Sequence, residues 1–359
     1  MNKLQKVYEV AQSCGAGAFL FIDNINRRYL SGFNSSAGAL VVDKDGGTLF
    51  LDFRYYEMAT IKQSKGLLAE GLDVVLQEGS LFGMVSDLLA KKDIKKIALD
   101  GNRVTAFELQ MIKEKLGVEV EIKTGVVEEF RKIKTPEELD NIRKAQSVTD
   151  AAFSHVLGFI KDGVTENEVA AELEYFIRRN GCTLAFDTIC VSGTNSSLPH
   201  GVPSDKKLTR NSFLTMDFGA AFDGYCSDMT RTVVLGKADE DMKKVYNTVL
   251  EAQEKALAVI KAGITGKEAD AAARDHINAC GFEGAFGHSL GHSLGMEIHE
   301  GPNFAWSYDK PIPAGVVMSV EPGIYLGGKY GVRIEDIVYV TENGCENLTS
   351  SKKVLIEIN

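Results

Sequence analysis

Four acids in this chain stand where a carboxylate is expensive. Asp217 interrupts the apolar run Phe213-Leu214-Thr215-Met216-Asp217-Phe218-Gly219, and Asp228 follows eleven residues later in Tyr225-Cys226-Ser227-Asp228-Met229-Thr230. Glu321 closes Val316-Val317-Met318-Ser319-Val320, and Glu335 lies inside Val332-Arg333-Ile334-Glu335-Asp336-Ile337-Val338. Burying an unpaired carboxylate in such a run costs several kcal/mol, so each needs a cation. Strand alternation over the last segment puts Arg333 and Glu335 on one face. Four of the six histidines (His200, His288, His292 and His299) fall in segments punctuated by Gly and Pro, away from the long helical patterns. Two divalent ions would balance two aspartates and two glutamates, with one neutral imidazole completing the donor set. The chemistry of such a cluster is hydrolysis by a hydroxide generated between the ions. Taken alone, each acid is equally well an exposed strand residue or the partner of an arginine.

The elements that must position these residues divide at a composition boundary. All seven prolines lie at or after Pro136. Before it, apolar runs at Ala37–Val42, Thr48–Asp52 and Lys96–Leu99 alternate with helical patterns at Val74–Leu89 and Thr105–Leu116, which predicts an α/β domain over residues 1–132. Thr135-Pro136-Glu137-Glu138 is a helix start, with a capping hydroxyl, a first-turn proline and a glutamate three residues past the cap. Leu139, Ile142, Ala145, Val148, Ala152, Val156 and Ile160 then predict one buried face of a helix that stops near Gly163.

The second domain, residues 133–359, repeats itself. Ile160-Lys161-Asp162-Gly163-Val164-Thr165-Glu166-Asn167-Glu168 matches Ile260-Lys261-Ala262-Gly263-Ile264-Thr265-Gly266-Lys267-Glu268 at an offset of 100 residues. Helix stops followed by capping boxes are common grammar and could coincide. The matching order of the residues downstream, His200 then Asp217/Asp228 and His299 then Glu321/Glu335, favours a duplication with a pseudo-twofold and a site between its halves. Asp223-Gly224 marks a hairpin turn before Asp228.

Composition closes off other classes. The net charge of −10 lacks the basic footprint of a nucleic-acid binder. No stretch of about 18 apolar residues exists to span a membrane, and residues 1–10 lack the apolar run of a signal peptide, so a cytoplasmic protein is expected. The six cysteines form no CxxC pair and suggest neither a zinc knuckle nor a disulfide framework. Basic residues that could hold the phosphates of a metal-dependent phosphatase do not cluster.

At this point the residues resemble a known family. MDFGAAFDGYCSDMTRT around Asp217 and Asp228, GHSLGMEIHE from Gly291 to Glu300, SVEPGIY around Glu321 and GVRIED around Glu335 are similar to the five-ligand dinuclear site of the pita-bread metallopeptidases, which include aminopeptidase P and prolidase. YLSGFNSS (Tyr29–Ser36), LFLDFRYYEMA (Leu49–Ala59) and RKIKTPEELDNIRKA extend the resemblance to the first domain and the entry into the second. The resemblance implies an α/β N-terminal domain and an α+β pita-bread catalytic domain. It implies Asp217, Asp228, His292, Glu321 and Glu335 as metal ligands, with Asp228 and Glu335 bridging, and Glu321 as the group that takes the proton of the bridging water. His200 and His299 correspond to the two histidines that hold substrate and the tetrahedral intermediate, while Arg333 is expected on the substrate side as an arginine that could read a dipeptide's carboxylate. His292 is chosen over His288 by its spacing to His299-Glu300, which leaves His288 a supporting role. The implied cofactors are two divalent ions, for which oxygen-rich ligation favours Mn²⁺ or Co²⁺ and admits Zn²⁺. The implied substrates are proline-containing peptides, and a homodimer is the expected assembly. The implied reaction is cleavage of an N-terminal Xaa-Pro bond. The alternatives are an Xaa-Pro dipeptidase and a metal-free peptide-binding module on the same fold. Many relatives carry an arginine three residues after the glutamate of the His-Glu pair, where a dipeptide's carboxylate could be read. This chain has Asn303 there.

Overall fold

The computed structural model describes residues 2–359, which fall into two compact units, 2–130 and 131–359. The first is a six-stranded mixed sheet in the order Leu72–Leu76, Gly46–Leu51, Ala39–Asp43, Ala18–Phe21, Lys96–Asp100, Glu119–Lys123. Its four inner strands are largely buried, with Phe19, Leu40, Leu49 and Ile97 in the core. The helical expectation over Thr105–Leu116 becomes helix Ala106–Leu116 with a Thr105/Glu108 capping box. The helical expectation over Val74–Leu89 is corrected. Its beginning belongs to strand Leu72–Leu76, and the helix starts only at Leu81, capped by the Ser80 side chain. Gly79 breaks the run, holding φ at 91°, a region that other residues enter only under strain.

The second unit opens on helix Pro136–Val156, with Thr135 and Glu138 forming the capping box and proline in the first turn. Leu139, Ile142, Ala145, Ala152 and Val156 are buried along one face. The helix ends at Val156 rather than near Gly163, and tight turns carry the chain on to Thr165. The repeat is real in three dimensions. Helices Glu166–Arg179 and Gly266–Ala279 both start from Thr-Glu capping boxes. Before each, the connector makes the same pair of backbone bonds: Gly163 N to Leu208 O (3.3 Å) and Leu208 N to Val164 O (2.8 Å), and Gly263 N to Ile312 O and Ile312 N to Ile264 O (both 2.8 Å).

Each half then supplies an antiparallel strand pair. Ser212–Phe218 pairs with Met229–Leu235, and Val317–Val320 pairs with Asp336–Val340. Asp223 and Gly224 both have positive φ (45° and 80°), the backbone of a tight hairpin between Ala220–Phe222 and Tyr225–Cys226. Two apolar cores lie under the pairs, one including Leu173, Ile177, Met216 and Phe218, the other Ala273, Ile277, Met318 and Val320.

Arg231, buried in the first pair, ties it to the second. Its Nη2 meets Asp336 Oδ1 at 2.7 Å, Nη1 donates to the Glu335 carbonyl, and Nη2 also donates to Ser351 O at 2.8 Å. Asp336 Oδ2 is in turn held by Asn347 Nδ2 (2.7 Å) and Lys353 Nζ (2.8 Å). Removing one member of a buried ion pair strands the other, at a cost of about 3–5 kcal/mol. Arg231→Met is therefore expected to lower unfolding free energy by about that much in urea titrations. A loss below about 1 kcal/mol would show the pair to be dispensable.

Candidate metal centre

The two strand pairs deliver their acids to one cavity by equivalent steps. Asp217 is the penultimate residue of its strand, and Glu321 follows directly on Val317–Val320. Asp228 and Glu335 each stand one residue before the returning strand. His292 is on strand Gly291–Ser293, beside Val317–Val320. The cavity encloses about 570 Å³ and its walls include Asp217, Asp228, His292, Glu321 and Glu335, together with His200, His288, His299, Asn303 and Arg333. One ligand atom each from Asp228, His292 and Glu335 falls within 4.8 Å of the others. His292 Nε2 lies 3.4 Å from Glu321 Oε1 and 3.7 Å from Asp228 Oδ2.

Glu321, Glu335 and Asp217 are each held from behind. Ser319 Oγ donates to Glu321 Oε1 (3.1 Å) and accepts from the His292 amide (3.0 Å). Thr230 Oγ1 donates to Glu335 Oε2 at 2.7 Å. Arg333 donates to Asp217 Oδ2 (2.7 Å), Thr230 Oγ1 (3.0 Å), Tyr325 Oη (2.7 Å) and Pro199 O (3.2 Å). His288 Nδ1 faces the Ser289 carbonyl at 2.9 Å and Nε2 faces Tyr325 Oη at 2.9 Å. The Nδ1 proton therefore goes to the carbonyl, and Tyr325 donates to Nε2 while accepting from Arg333. Burial and the Arg333 charge push His288 down to about 4, which keeps it neutral in this chain.

The electrostatics carry the fit to a cation. Burial, then the neighbouring carboxylates, hold Asp228 and Glu335 well above the ordinary carboxylate range, and burial pushes Glu321 up to about 7 against the pull of Arg333. Asp217 Oδ1 and Glu335 Oε1 are buried with no hydrogen-bond partner among the described residues. A buried oxygen without a donor loses its full solvation energy, and a cation restores it. Hard oxygen donors with one imidazole suit a divalent metal ion.

All the residues expected from the sequence line this one cavity. Arg333 differs in what it does there. A guanidinium has five N–H groups, and four are spent on the chain's own atoms, so it is a structural ion partner of Asp217 more than an open substrate contact. The single strand read over Val332–Val338 is interrupted at Ile334–Glu335, between Tyr330–Arg333 and Asp336–Val340. Ser319, Thr230 and Tyr325 carry no expected role from the sequence, although all three sit in the same motifs as the acids. The apolar walls Phe186 and Ile298 and the exposed rim acid Asp187 gave no sequence signal.

Both parts of the chain match known protein families. Residues 140–342 match the metallopeptidase family M24, and residues 3–133 match the creatinase/prolidase N-terminal domain. The chain is 37% identical to the Xaa-Pro dipeptidase of Pyrococcus furiosus over 99% of each sequence. Among solved structures it is similar to an Xaa-Pro dipeptidase from Bacillus anthracis, with a TM-score of 0.94 and 40% identity over 99% of both chains. It is also similar to an X-Pro aminopeptidase from Thermotoga maritima, with a TM-score of 0.91 and 36% identity over 97% of this chain and all of that one.

The raised acids make metal-free stability depend on pH with a definite sign. In the unfolded chain these carboxyls lose their protons near pH 4, whereas folded Glu321 keeps its own to about 7 and Asp228 and Glu335 are also raised. The folded state binds more protons in that window, so stability falls as pH rises through it. In chelator, the melting temperature of the parent is expected to drop relative to Glu321→Gln between about pH 5 and 7, and added Mn²⁺ should cancel the drop. A difference independent of pH would contradict the electrostatic account.

Proposed function

The chain belongs to metallopeptidase family M24, and we propose that it removes the N-terminal residue from peptides whose second residue is proline. Asp217, Asp228, His292, Glu321 and Glu335 would hold two divalent ions, Mn²⁺ or Co²⁺ by the oxygen-rich donor set, with Zn²⁺ as the third fitting ion. When bound, the ions supply Lewis-acid polarisation of a carbonyl and a nucleophilic hydroxide at neutral pH. The protein's own groups do the rest. Glu321, desolvated and held by Ser319, is placed to accept a proton and return it to the departing proline nitrogen. His299 and His200 line the same cavity and are disposed as N–H donors to the developing oxyanion. Burial and the imidazoles of His292 and His200 push the pKa of His299 down, favouring the neutral ring with its one N–H. Phe186 and Ile298 form apolar wall on which a prolyl ring could pack. The two unpartnered buried oxygens oppose a metal-free binding module, which would have no reason to bury them.

The observation that favours a peptide over a dipeptide is the charge of the cavity wall. Among the described residues its sole lysine or arginine is Arg333, already committed to Asp217, while Asn303 stands on the strand beside His292. A dipeptide must bring a carboxylate next to its scissile bond into a cavity lined by acids. A longer peptide brings a neutral amide there instead.

Mn²⁺-loaded protein is expected to cleave an Xaa-Pro-Yaa tripeptide with kcat/KM roughly tenfold or more above that for the matching Xaa-Pro dipeptide, followed by liquid chromatography. The opposite order would assign it as a dipeptidase. His200→Ala and His299→Ala should each lose about 10²–10³ in kcat at unchanged metal content, whereas Asp228→Ala should lose metal. Unchanged kcat in either histidine variant would remove the donor role.

A further inference from the structure

Helix Glu166–Arg179 begins with a carboxylate that the reaction does not need and the fold does not obviously want. Glu166 is completely buried, and its oxygens accept five hydrogen bonds, all from neutral groups of one loop. Oε1 takes the Ser192 amide (2.6 Å), Ser192 Oγ (2.9 Å) and Asn195 Nδ2 (3.2 Å). Oε2 takes Asn195 Nδ2 (3.2 Å) and Ser204 Oγ (2.7 Å). Ser192 and Ser204 are the two ends of the loop whose exposed middle carries His200.

The same helix start grips the far end of that loop through its backbone. Glu166 N donates to Lys206 O and Asn167 N to Ser204 O, both at 3.0 Å. Towards the site, Ser196 Oγ accepts from Gly331 N (2.9 Å) and Pro199 O accepts from Arg333 Nη1 (3.2 Å). His200 thus follows a residue held by Arg333, on a loop whose base is closed by one carboxylate.

We propose that Glu166 is a positioning residue for His200. A carboxylate accepts at both oxygens, whereas glutamine would turn an N–H₂ towards donors on one side. A buried charge among neutral donors is a costly way to gain stability. It is an efficient way to fix two distant points of a loop to one rigid helix start. The duplication supports this division of labour. At the matching place the second half has Gly266, where a Cβ would come within 2.2 Å of the Asn303 carbonyl, so no side chain fits. There the fastening passes to Asp270, which accepts from the Leu290 amide at 3.0 Å and from Arg274, and Arg274 donates to the Phe286 and His288 carbonyls. Each half holds a histidine-bearing segment from its second helix, by different residues.

The inference takes the donor role of His200 from the proposed peptidase reaction, and its test separates the two. With only six histidines in the chain, ¹³C-labelled imidazole signals of the Zn²⁺-loaded protein are countable, and His200→Ala identifies one of them. Glu166→Gln is expected to shift or broaden the His200 signal while leaving those of His155 and His276 in place. It should also lower kcat on an Xaa-Pro-Yaa peptide about tenfold or more with KM changed less than about twofold, since small misplacement of a reacting group is costly. Glu168→Gln, which removes a carboxylate from the neighbouring capping box, controls for stability and should cost melting temperature without moving kcat. If Glu166→Gln does not fold, Ser204→Ala removes one donor only and should show the same changes in smaller measure. An unmoved His200 signal with kcat within twofold of the Glu168→Gln control overturns the proposal. Should the parent cleave no Xaa-Pro-Yaa peptide, the peptidase reading fails while the imidazole signals still decide the role of Glu166.

Discussion

Removing four carboxylates from water in one cavity, with one guanidinium as the fixed cation among the described residues, is the constraint around which the second unit is organised. Coulomb repulsion between groups this close grows as the dielectric falls, and protonation of the acids relieves part of it. That relief is visible in the raised positions of Asp228, Glu335 and Glu321. Arg333 offsets part of the burden by pairing with Asp217, and its remaining bonds spread rigidity to Tyr325, Thr230 and the His200 loop. A divalent cation offsets the rest. The scaffold is thus strained towards metal, with Glu321 and Glu335 oriented by hydroxyls and Asp217 by a guanidinium.

The duplication explains how one chain assembles such a cluster. An antiparallel strand pair offers two nearby ends, and two such pairs offer four. Asp217 and Asp228 occupy the ends of one pair, Glu321 and Glu335 the ends of the other. The buried Arg231–Asp336 contact fixes the pairs against each other immediately beside Glu335. Second helices in each half then hold the segments that carry histidines. The four acids therefore sit at or beside strand ends, where the sheet braces the backbone.

How much of this was legible in the sequence depends on how local each signal is. Asp217 inside an apolar run and the Thr135-Pro136-Glu138 start are local statements, and both form as read, although the helix begun at Thr135 stops at Val156, short of Gly163. The repeat was legible because its capping boxes use the same residues in the same order. The period-two reading over Val332–Val338 brought Arg333 and Glu335 to the right cavity by an incomplete argument, because the strand breaks at Ile334–Glu335 so that Glu335 N can bond Thr230 O across the two pairs. That bond joins residues far apart in sequence and leaves no local trace. Gly79-Ser80 was a visible stop that the helical pattern over Val74–Leu89 overran. Glu166 read only as one more charged residue of a helix start. Its role depends on Ser192, Asn195 and Ser204, which only the fold brings round it.

If the cluster of Asp217, Asp228, His292, Glu321 and Glu335 exists to hold two divalent cations, diffraction can locate them. Crystals grown with Mn²⁺ would be measured on both sides of the manganese absorption edge. Two anomalous peaks per chain are expected inside this cavity, each against at least two of these five residues. A cavity without a peak, or manganese bound only elsewhere on the chain, would refute the metal centre.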